Sequence, residues 1–589
     1  VFTGRVYGVA WGPQPDQVWV LNATQLYLLD WRRNQVLAQI AHKGTPGNQS
    51  IASAGGRVFV GTSVRAARSR KALAQVVTVE EKNLRPLAEG LGAYSPGALA
   101  VSAGPAERVA VAPLVYENKL AVIDAATGQV RRSIDTGIAP FAAVVNAAGS
   151  VAYVSNLGGR PPKAGEEFAS PVKKRAEKIP VDARGVASTG TVMRIDVAAG
   201  RVTDTIAVGL HPTALAWDEK SGRLYVANGN SESVSVIDTA SNQVVRTIEI
   251  QPFAQTVRGV APTALALAQE GATLLVACGG INAVAVVETA TGKIRGMIPT
   301  AWYPDGLAVS PDGARFAVGS LLGAGSAWRD EPAKRFVHSY RGSVAVVELP
   351  DAAQLASYTT AVAENNRMRL AGDAGPVKTE VAREVKATAV PARSGDPSLI
   401  EHVVYIIKEN RTYDQVLGDM GKGNGDPSLV MFGEKVTPNQ HGMADRYVLL
   451  DNFYATGGNS GDGHQWATQA NETEYCLWPG YQGRSYPYDG SDPMAYSSGG
   501  FIWDYALARG KSVRVYGEYA GNIKGIPKGA PMSLLERWKK GDDFTKQFQV
   551  TADIAALNRI LSPNYPPFDT DIPDVVRSQI FLTEFREME

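Results

Sequence analysis

The sequence contains very little cysteine, and this scarcity excludes several classes of protein. Only Cys278 and Cys476 are present in 589 residues, and they fall in parts of the chain that we predict to be different domains. This argues against a disulfide framework and against a metal cluster held by thiolates. Neither cysteine belongs to a CxxCH sequence, so covalently attached c-type haem is also excluded.

Net charge and long apolar runs are lacking as well. Lysine and arginine total 59 against 58 aspartate and glutamate residues, so the overall field gives no reason to expect nucleic-acid binding. No apolar run is long enough to cross a bilayer.

The chain begins at Val1 without a charged and apolar leader, which is typical of a processed mature chain or of a fragment. Its length of 589 residues predicts more than one domain.

The first part of the chain contains a repeat of short apolar strands. Several repeats open on a proline-led strand, at Pro96, Pro140, Pro212, Pro262 and Pro304. A second strand recurs about ten residues later, as VWVLN (18–22), VFVGT (58–62), VAVAP (109–113), AYVSN (152–156), LYVAN (224–228), LLVAC (274–278) and FAVGS (316–320). A third strand and a hairpin follow, as in LAVIDAATGQV from Leu120. The spacing is close to the ~40 to 45 residues of a four-stranded blade and predicts a β-propeller of about seven blades over residues 1–350.

These units resemble the YVTN family of β-propeller repeats over most of residues 6–349. The resemblance implies a fold and no particular activity, because one blade architecture hosts many functions. A β-sandwich also alternates strands, but it does not repeat its own strand sequence at a fixed period. Two insertions interrupt the period, residues 157–189 with the basic run Lys173–Arg175 and residues 321–341. They line a propeller face that binds a glycan or a protein, or they contact the next domain, or they are solvated surface loops.

A different pattern follows the propeller. Residues 351–398 are predicted to be a linker with a helix near residues 351–370, and residues 399–589 a second domain of α/β fold. The continuous apolar run 403–407 predicts a buried strand, with Glu409 and Asn410 just beyond its carboxyl end. A carboxylate and an amide oxygen side by side are hard ligands suited to a divalent cation.

A second strand of this domain, predicted over residues 448–454, leads into a glycine-rich turn that carries Ser460, Asp462 and His464. Glycines in the turn let the backbone come close to a ligand. A helix that we expect to start near His464 would offer unpaired N–H groups to a phosphate. Residues 499–519 predict a helix followed by a strand.

The segments IIKENRTYDQVLGD, TPNQHGMA, LLDNFY, SGDGHQW and GGFIWDYAL resemble the phosphoesterase family that includes acid phosphatases and bacterial phospholipases C, within the alkaline phosphatase superfamily. The resemblance covers roughly residues 400–589, and proteins with a YVTN propeller before this domain form a bifunctional type. It implies that Glu409 and Asn410 bind the metal and that Ser460 is the nucleophile. It makes His464 and His441 candidates for proton transfer or phosphate binding, and we place Asp462 with His441 in the substrate site.

These residue types fit a metal-dependent hydrolysis of a small-molecule or lipid phosphate ester by a periplasmic or secreted protein. A divalent cation (Mg, Mn, Ca or Zn) would polarise a phosphoryl oxygen and stabilise the Ser460 alkoxide, which attacks phosphorus and forms a phosphoserine that water hydrolyses. Each residue also fits a structural role. Glu409 could form a surface ion pair with Arg411, Ser460 could cap the following helix, and His464 could be a satisfied histidine at the helix start.

The chain departs from the family at its end. A complete domain of this type continues with Asp, His and Glu segments that supply further metal ligands, whereas this chain stops at FLTEFREME. We therefore expect a C-terminally truncated α/β domain with half of its metal site. Two other functions stay open. One is a non-catalytic binding or scaffold protein that uses the propeller, and the other is a lactonase-type propeller enzyme, which predicts acidic and histidine residues converging on the central channel.

Overall fold

The computed structural model describes residues 1–65, 72–80, 83–104, 108–170, 177–325, 339–370, 386–391, 396–456, 459–477, 491–527 and 530–588. The chain forms two compact units. The first joins Val1–Ala374 to Thr468–Glu589, and the second is Gly375–Ala467. This division differs from a boundary at residue 399, because the segment after residue 467 packs with the propeller.

The predicted seven-bladed β-propeller is confirmed. Each blade is an antiparallel sheet, with four strands in blades 1 to 6 and three described strands in blade 7. Blades 1 to 3 consist of β1 (Val6–Trp11), β2 (Gln17–Asn22), β3 (Gln25–Asp30), β4 (Gln35–Ala41), β5 (Thr45–Ala54), β6 (Arg57–Arg65), β7 (Ala72–Glu80), β8 (Asn83–Ala88), β9 (Ala100–Val101), β10 (Val109–Leu114), β11 (Lys119–Asp124) and β12 (Val130–Asp135).

Blade 4 differs from the other blades because the first predicted insertion interrupts it. A two-stranded sheet within this insertion, β15 (Phe168–Ala169) and β16 (Ile179–Pro180), separates its second and third strands, and the basic run 173–175 lies outside the described residues. Blades 4 to 7 consist of β13 (Ile138–Val145), β14 (Val151–Gly159), β17 (Gly190–Asp196), β18 (Arg201–Val208), β19 (Pro212–Asp218), β20 (Arg223–Asn228), β21 (Ser233–Asp238), β22 (Gln243–Glu249), β23 (Pro262–Ala268), β24 (Thr273–Cys278), β25 (Ala283–Glu288), β26 (Ile294–Pro299), β27 (Trp302–Val309), β28 (Arg315–Gly323) and β29 (Ser343–Glu348).

Burial explains why the second strand of each blade is a continuous apolar run. Strands β10 and β24 are buried along nearly their whole length, since neighbouring blades cover both faces of a blade. The outer strands β4 and β22 are mostly exposed and carry polar residues. The apolar runs of the sequence therefore mark the interior of the ring.

Aspartate at the end of the third strand closes the outer hairpin. The Asp124 carboxylate accepts a hydrogen bond from the Thr127 N–H at 2.8 Å, and Asp238 accepts one from the Ser241 N–H at 2.8 Å. The backbone hydrogen bond from Ser241 is the main reason that the pKa of Asp238 falls to about 2. These charged acceptors fix the turn between the two outer strands.

The two ends of the propeller are joined by backbone hydrogen bonds. The Gly4 N–H donates to the Tyr340 carbonyl at 2.7 Å, and the Gly342 N–H donates to the Gly4 carbonyl at 2.9 Å. Strand β1 also packs beside β27 and β28 of the last blade. The ring is thus closed by the first residues of the chain. In the second predicted insertion, residues 326–338 lie outside the described residues.

Helices follow the propeller, and none that the structure describes combines the length and the apolar character needed to span a bilayer. The helix expected near residues 351–370 is confirmed as α1 (Ala352–Asn365), capped by Asp351. The other helices are α2 (Tyr413–Leu417), α3 (Pro438–Arg446), α4 (Ser460–Gln469), α5 (Glu474–Leu477), α6 (Ile502–Ala508), α7 (Ala530–Lys539) and α8 (Asp574–Met588), and the remaining strands are β30 (Asn522–Lys524) and β31 (Gln549–Thr551).

Residues after 467 share a hydrophobic core with blades 3 to 5. Tyr475, Tyr496 and Phe548 are buried in one cluster with Phe141 and Tyr153 of blade 4. A hydrogen bond from the Ala187 N–H to the Pro493 carbonyl also joins the two parts. Because burial of apolar surface drives such packing, this segment and the propeller stabilise each other.

The prediction of two strands after residue 399, the first of them buried, was wrong. Residues 403–407 form no strand and their side chains are exposed, with Val403 at 81% and Ile406 at 73%. Residues 448–454 are also outside any strand, and Val448 is 80% exposed. A strand needs a neighbour for its backbone hydrogen bonds, and no described residue pairs with either run.

The α/β fold expected for residues 399–589 is not confirmed. The described residues of this range contain the antiparallel pair β30–β31 and no parallel sheet. The helix predicted within residues 499–519 is confirmed as α6. Instead of the strand expected after it, a single parallel bridge joins Val515 to Leu561.

Candidate functional site

The glycine-rich turn places Ser460 at the first residue of α4, four residues before the expected helix start. The Asn459 side-chain oxygen accepts hydrogen bonds from the N–H groups of Gly461 at 2.9 Å and Asp462 at 3.4 Å. Asn459 therefore caps the helix, the role considered as an alternative for Ser460. The Ser460 hydroxyl is partly exposed and has no hydrogen bond to any described residue. Gly457 and Gly458 lie outside the described residues.

Helix α4 brings Ser460 and His464 together. They are four residues apart, so their side chains lie on the same face of the helix, and both are partly buried. Asp462 is buried instead, and its carboxylate accepts a hydrogen bond from the Asn459 side-chain amide at 3.1 Å. The geometry therefore gives Asp462 a part in holding the helix start.

Glu409 and Asn410 lie on an exposed loop after the extended run 403–407. The Asn410 carbonyl accepts a hydrogen bond from the Arg411 guanidinium at 2.7 Å, and Glu409 has no hydrogen bond or ion pair with a described residue. The Arg411 guanidinium lies over the Phe432 ring at 5.0 Å from its centre. The ion pair of Glu409 with Arg411, considered as an alternative, is therefore not found there.

The described part of the chain does not provide a complete set of ligands for a divalent cation. Glu409 and Asn410 offer two surface oxygen donors, and neither is bonded to Ser460. The described residues contain no group of three or more His, Cys, Asp and Glu side chains placed to hold a metal ion. Catalytic metal sites use about three protein ligands, so the residues present do not by themselves fit the expected metal.

His441 is engaged in a separate cluster of the second unit. It is buried in α3, its Nε2 lies 2.8 Å from Asp419 Oδ1, and its Nδ1 lies 2.9 Å from the Thr437 carbonyl. Burial lowers the pKa of His441, but the hydrogen bonds to Asp419 and Thr437 outweigh it and the pKa is raised. The hydrogen bond from His441 lowers the pKa of Asp419. His441 therefore joins α3 to the segment that carries Asp419.

The central channel of the propeller holds a second set of polar groups. In five blades a residue with positive φ, which is uncommon outside glycine, lies just before the inner strand or within it. The residues are Gln49 (φ 52°), Ala139 (φ 53°), His211 (φ 49°), Ala261 (φ 51°) and Tyr303 (φ 59°). The recurrence shows that these blades lead the chain into the channel in the same way.

Hydrogen bonds between inner strands form part of the channel wall. The Thr213 hydroxyl donates to the Pro262 carbonyl at 2.7 Å, and the Thr263 hydroxyl donates to the Pro304 carbonyl at 2.6 Å. The Gln49 side-chain amide donates to the Thr263 carbonyl at 2.8 Å, which joins blade 2 to blade 6. These bonds fix the positions of the side chains that line the channel.

Helix α5 lies against this channel. His211 Nδ1 is 2.8 Å from Glu474 Oε1, and both side chains are almost completely buried. His211 Nε2 and Glu474 Oε2 have no hydrogen-bond partner among the described residues. Asn230 makes a second polar contact with this segment. Its side chain donates a hydrogen bond to the Tyr496 carbonyl at 3.0 Å and accepts one from the Ser498 N–H at 2.8 Å. The segment after α4 is therefore held on the propeller by buried polar contacts.

A small cavity remains between α5 and the inner strands. Its volume of about 10 Å³ is the room that one water molecule needs. It is lined by Asn48, Gln49, Phe141, Thr213, Thr263, Tyr303, Leu321, Glu474 and Leu477. The lactonase-type alternative predicted acidic and histidine residues at the channel, and Glu474 and His211 do meet there. The cavity is nevertheless too small for an organic substrate.

Sequence analysis missed these channel residues, although one signal was present. His211 and Tyr303 precede the prolines that open two repeats, where other repeats carry the small residues Ala139 and Ala261. A large polar side chain at that repeat position marks a channel contact. Glu474 has no comparable signal, because its role depends on contacts with a blade far away in the sequence.

Comparison with known proteins adds little. No protein-family model matches the sequence, and no curated protein matches it. Among solved structures, the chain is similar to one titled Kuenenia stuttgartiensis Hydrazine Synthase, with 16% identity and a TM-score of 0.43 over 59% of this chain and 97% of that chain.

Proposed function

We propose that this protein is a phosphoesterase that uses Ser460 as its nucleophile. The observation that carries the proposal is the position of Ser460 at the first residue of α4, with a partly exposed hydroxyl that no described residue binds. A nucleophile at a helix start benefits from the positive end of the helix dipole, which favours a phosphate beside it. The motifs ENRTYD and SGDGH in this order add the resemblance to phosphoesterases.

The residues of α4 supply two roles in such a reaction. Attack by Ser460 Oγ would form a bond to phosphorus and break the bond to the leaving alcohol, and water would then hydrolyse the phosphoserine. His464 lies one helical turn from Ser460 and is the candidate for moving the proton. A bound divalent cation would neutralise phosphate charge. The described donors are incomplete for it, so no step is assigned to a metal.

The test compares the full chain with a Ser460→Ala variant. Release of nitrophenol from p-nitrophenyl phosphate and from the bis-p-nitrophenyl diester separates monoester from diester hydrolysis, with Mg, Mn, Ca or Zn added after chelation. We expect activity that Ser460→Ala abolishes and that Ser357→Ala, an exposed serine on α1, retains. Equal activity in the Ser460→Ala variant, or none in any protein under any condition, would overturn the proposal.

Metal dependence is tested by a second pair of variants. Glu409→Gln removes the carboxylate of the proposed metal pair, and Glu401→Gln removes another exposed carboxylate near the start of the same segment. If Glu409 helps to hold the cation, only Glu409→Gln raises the metal concentration needed for half-maximal activity. An unchanged metal requirement would remove Glu409 from the site and leave the serine proposal standing.

A non-catalytic binding protein is the second candidate. It is favoured by one observation, the absence of a three-residue metal site among the described residues. In that case the propeller carries the function and binds a glycan or a protein on one face. Binding to a glycan array by the catalytically silent full chain would support this second candidate, and phosphate-ester hydrolysis that depends on Ser460 would exclude it. A periplasmic or secreted location belongs to both proposals.

A further inference from the structure

Three residues that line the channel cavity present polar atoms without a partner. Asn48 Oδ1, Tyr303 Oη and Glu474 Oε2 have no hydrogen-bond partner among the described residues. Asn48 is 7%, Tyr303 8% and Glu474 4% exposed. Buried polar groups are almost always satisfied, by protein or by a bound species. Three such atoms around one small cavity therefore point to an occupant.

The chemistry of the three atoms defines the occupant. A carboxylate oxygen and an amide oxygen only accept hydrogen bonds. A tyrosine oxygen can accept a hydrogen bond as well as donate one, and its lone pairs can also bind a cation. Of the three atoms, only the Tyr303 hydroxyl could donate a hydrogen bond to an anion. Hard oxygen ligands of this kind suit calcium, magnesium or sodium ions. The cavity, with room for about one water molecule, is of the size of a single small ion.

Acidic side chains lie near the cavity. Burial raises the pKa of Tyr303 well above 10.0, and the carboxylates of Glu474, Glu472 and Asp305 raise it further. Asp305 is itself completely buried, and neither of its oxygens has a hydrogen bond of good geometry to a described residue. Its pKa is raised by burial, against the effects of Asn48 and Arg5.

Two basic side chains lie near these acidic groups. His211 contacts the other oxygen of Glu474, and Arg5 acts on Asp305. Glu474 therefore brings to the cavity wall a carboxylate that has one oxygen without a partner among the described residues. A positive ion in the cavity would reduce the cost of burying these acidic groups.

We propose that the propeller channel binds one small cation, held by the side-chain oxygens of Glu474, Asn48 and Tyr303 beneath α5. The site contains one carboxylate and two neutral oxygens within the cavity wall, so it differs from a cluster of three acidic or histidine ligands. Calcium is the probe of choice because it accepts several oxygen ligands in a flexible arrangement. The ion would link α5 to blades 2 and 7, since Asn48 belongs to β5 and Tyr303 to β27.

Tyr303 provides a direct readout of an ion in the cavity. Full-length protein is freed of metal with a chelator and titrated with Tb³⁺, whose luminescence is excited through a tyrosine at a ligand distance. We expect a saturable signal that Ca²⁺ displaces, and a rise of the melting temperature with Ca²⁺. Glu474→Gln should weaken binding by at least about tenfold, the loss that removal of even a supporting group causes at metal sites.

Two further variants keep the test decisive. Glu232→Gln is the matched control, because Glu232 is a buried carboxylate of the propeller that already has partners in Arg258 and the Gly259 N–H. Tyr303→Phe keeps the His211–Glu474 contact and should remove most of the Ca²⁺-dependent shift in melting temperature. If Glu474→Gln fails to fold, this variant decides the question.

The alternative occupant is water. A crystal structure grown with Ca²⁺ would show oxygen distances of about 2.3 to 2.6 Å around a calcium ion, but about 2.7 to 2.8 Å around a water molecule. No Tb³⁺ signal and no Ca²⁺-dependent change in melting temperature, or effects that persist in both Glu474→Gln and Tyr303→Phe, would overturn the proposal and leave water in the channel.

Discussion

The contact between His211 and Glu474 should carry much of the free energy that holds α5 on the propeller. The two atoms are 2.8 Å apart and both side chains are buried. His211→Ala would leave the Glu474 carboxylate with no partner among the described residues, since Oε2 already has none. Breaking a buried pair by removal of one partner costs roughly 3 to 5 kcal/mol. We expect the free energy of unfolding to fall by about that amount.

In protein freed of metal, where no bound ion contributes to stability, the Glu474→Gln variant should be milder. Its amide oxygen can still accept a hydrogen bond from His211 Nδ1, and no buried charge is left without a partner. A neutral hydrogen bond contributes about 1 kcal/mol, so the loss should be of that order. In the Glu474→Gln background, His211→Ala should lower the free energy of unfolding by roughly 1 to 3 kcal/mol less than it does in the wild type. The reason is that no carboxylate is then left buried without a partner.

Urea unfolding followed by tryptophan fluorescence measures these differences, and amide hydrogen exchange of residues 474–477 shows whether α5 itself is released. His42→Ala is the matched control. Both ring nitrogens of His42 contact backbone carbonyls, of Gly44 at 2.9 Å and of Asn22 at 2.8 Å. It should lower stability without faster exchange in α5. The reasoning is refuted if the two channel substitutions add within about 0.5 kcal/mol, or if Glu474→Gln costs as much as His211→Ala.

Three further predictions concern the pKa of one histidine, the thiols and one close packing contact. The pKa of His441 is raised above 6.5 because its hydrogen bonds outweigh burial, so its contribution to stability is present below pH 6.5 and is lost as the pH rises through the folded pKa. An NMR titration should give a midpoint above 6.5 in the wild type and a lower midpoint in Asp419→Asn, and an equal midpoint in both would contradict the hydrogen bond. Burial raises the pKa of Cys278 to about 12 and also encloses Cys476. A thiol reagent at about pH 8 should therefore label neither cysteine in the folded chain and both after denaturation, and rapid labelling of the folded chain would disprove their burial. A Cβ on Gly158 would lie 2.6 Å from Ile138 Cγ2 and 2.9 Å from Met494 Sδ, so Gly158→Ala should cost about 1 to 3 kcal/mol in urea unfolding. Gly442→Ala, with nothing within 4 Å of the added Cβ, should cost nothing, and equal effects of the two would show that this contact is not tight.

The propeller was predictable because each blade repeats the same local signals. The run LYVAN at 224–228 became β20, and LLVAC at 274–278 became β24. In each case neighbouring blades bury the strand on both faces, so the apolar run and its period carry the information. The turn aspartates, such as Asp238, act through bonds to residues nearby in sequence. All of these signals are local.

The region after residue 399 was predicted less well because its signals depend on distant partners. The run 403–407 has the composition of a buried strand, but a strand forms only when a neighbouring strand supplies backbone hydrogen bonds. The start of α4 was closer to prediction, since a cap such as Asn459 acts within its own turn. Glu474 contacts His211 across 263 residues, and no sequence pattern marks that contact.

The placement of α5 restricts what the propeller can do. Glu474 and Leu477 of α5, together with Asn48 and Tyr303, border a cavity with room for about one water molecule, so this part of the channel is not a passage for an organic substrate. His211 and Asn230 hold the segment after α4 by hydrogen bonds, and blades 3 to 5 bury its apolar side. The propeller is therefore a support as much as a separate module. Substitutions at His211 should then act on stability, whereas Ser460→Ala, at a hydroxyl that no described residue binds, should act on catalysis without unfolding the chain. A loss of both properties in Ser460→Ala would mean that Ser460 has a structural role and would remove the main argument for a nucleophile at that position.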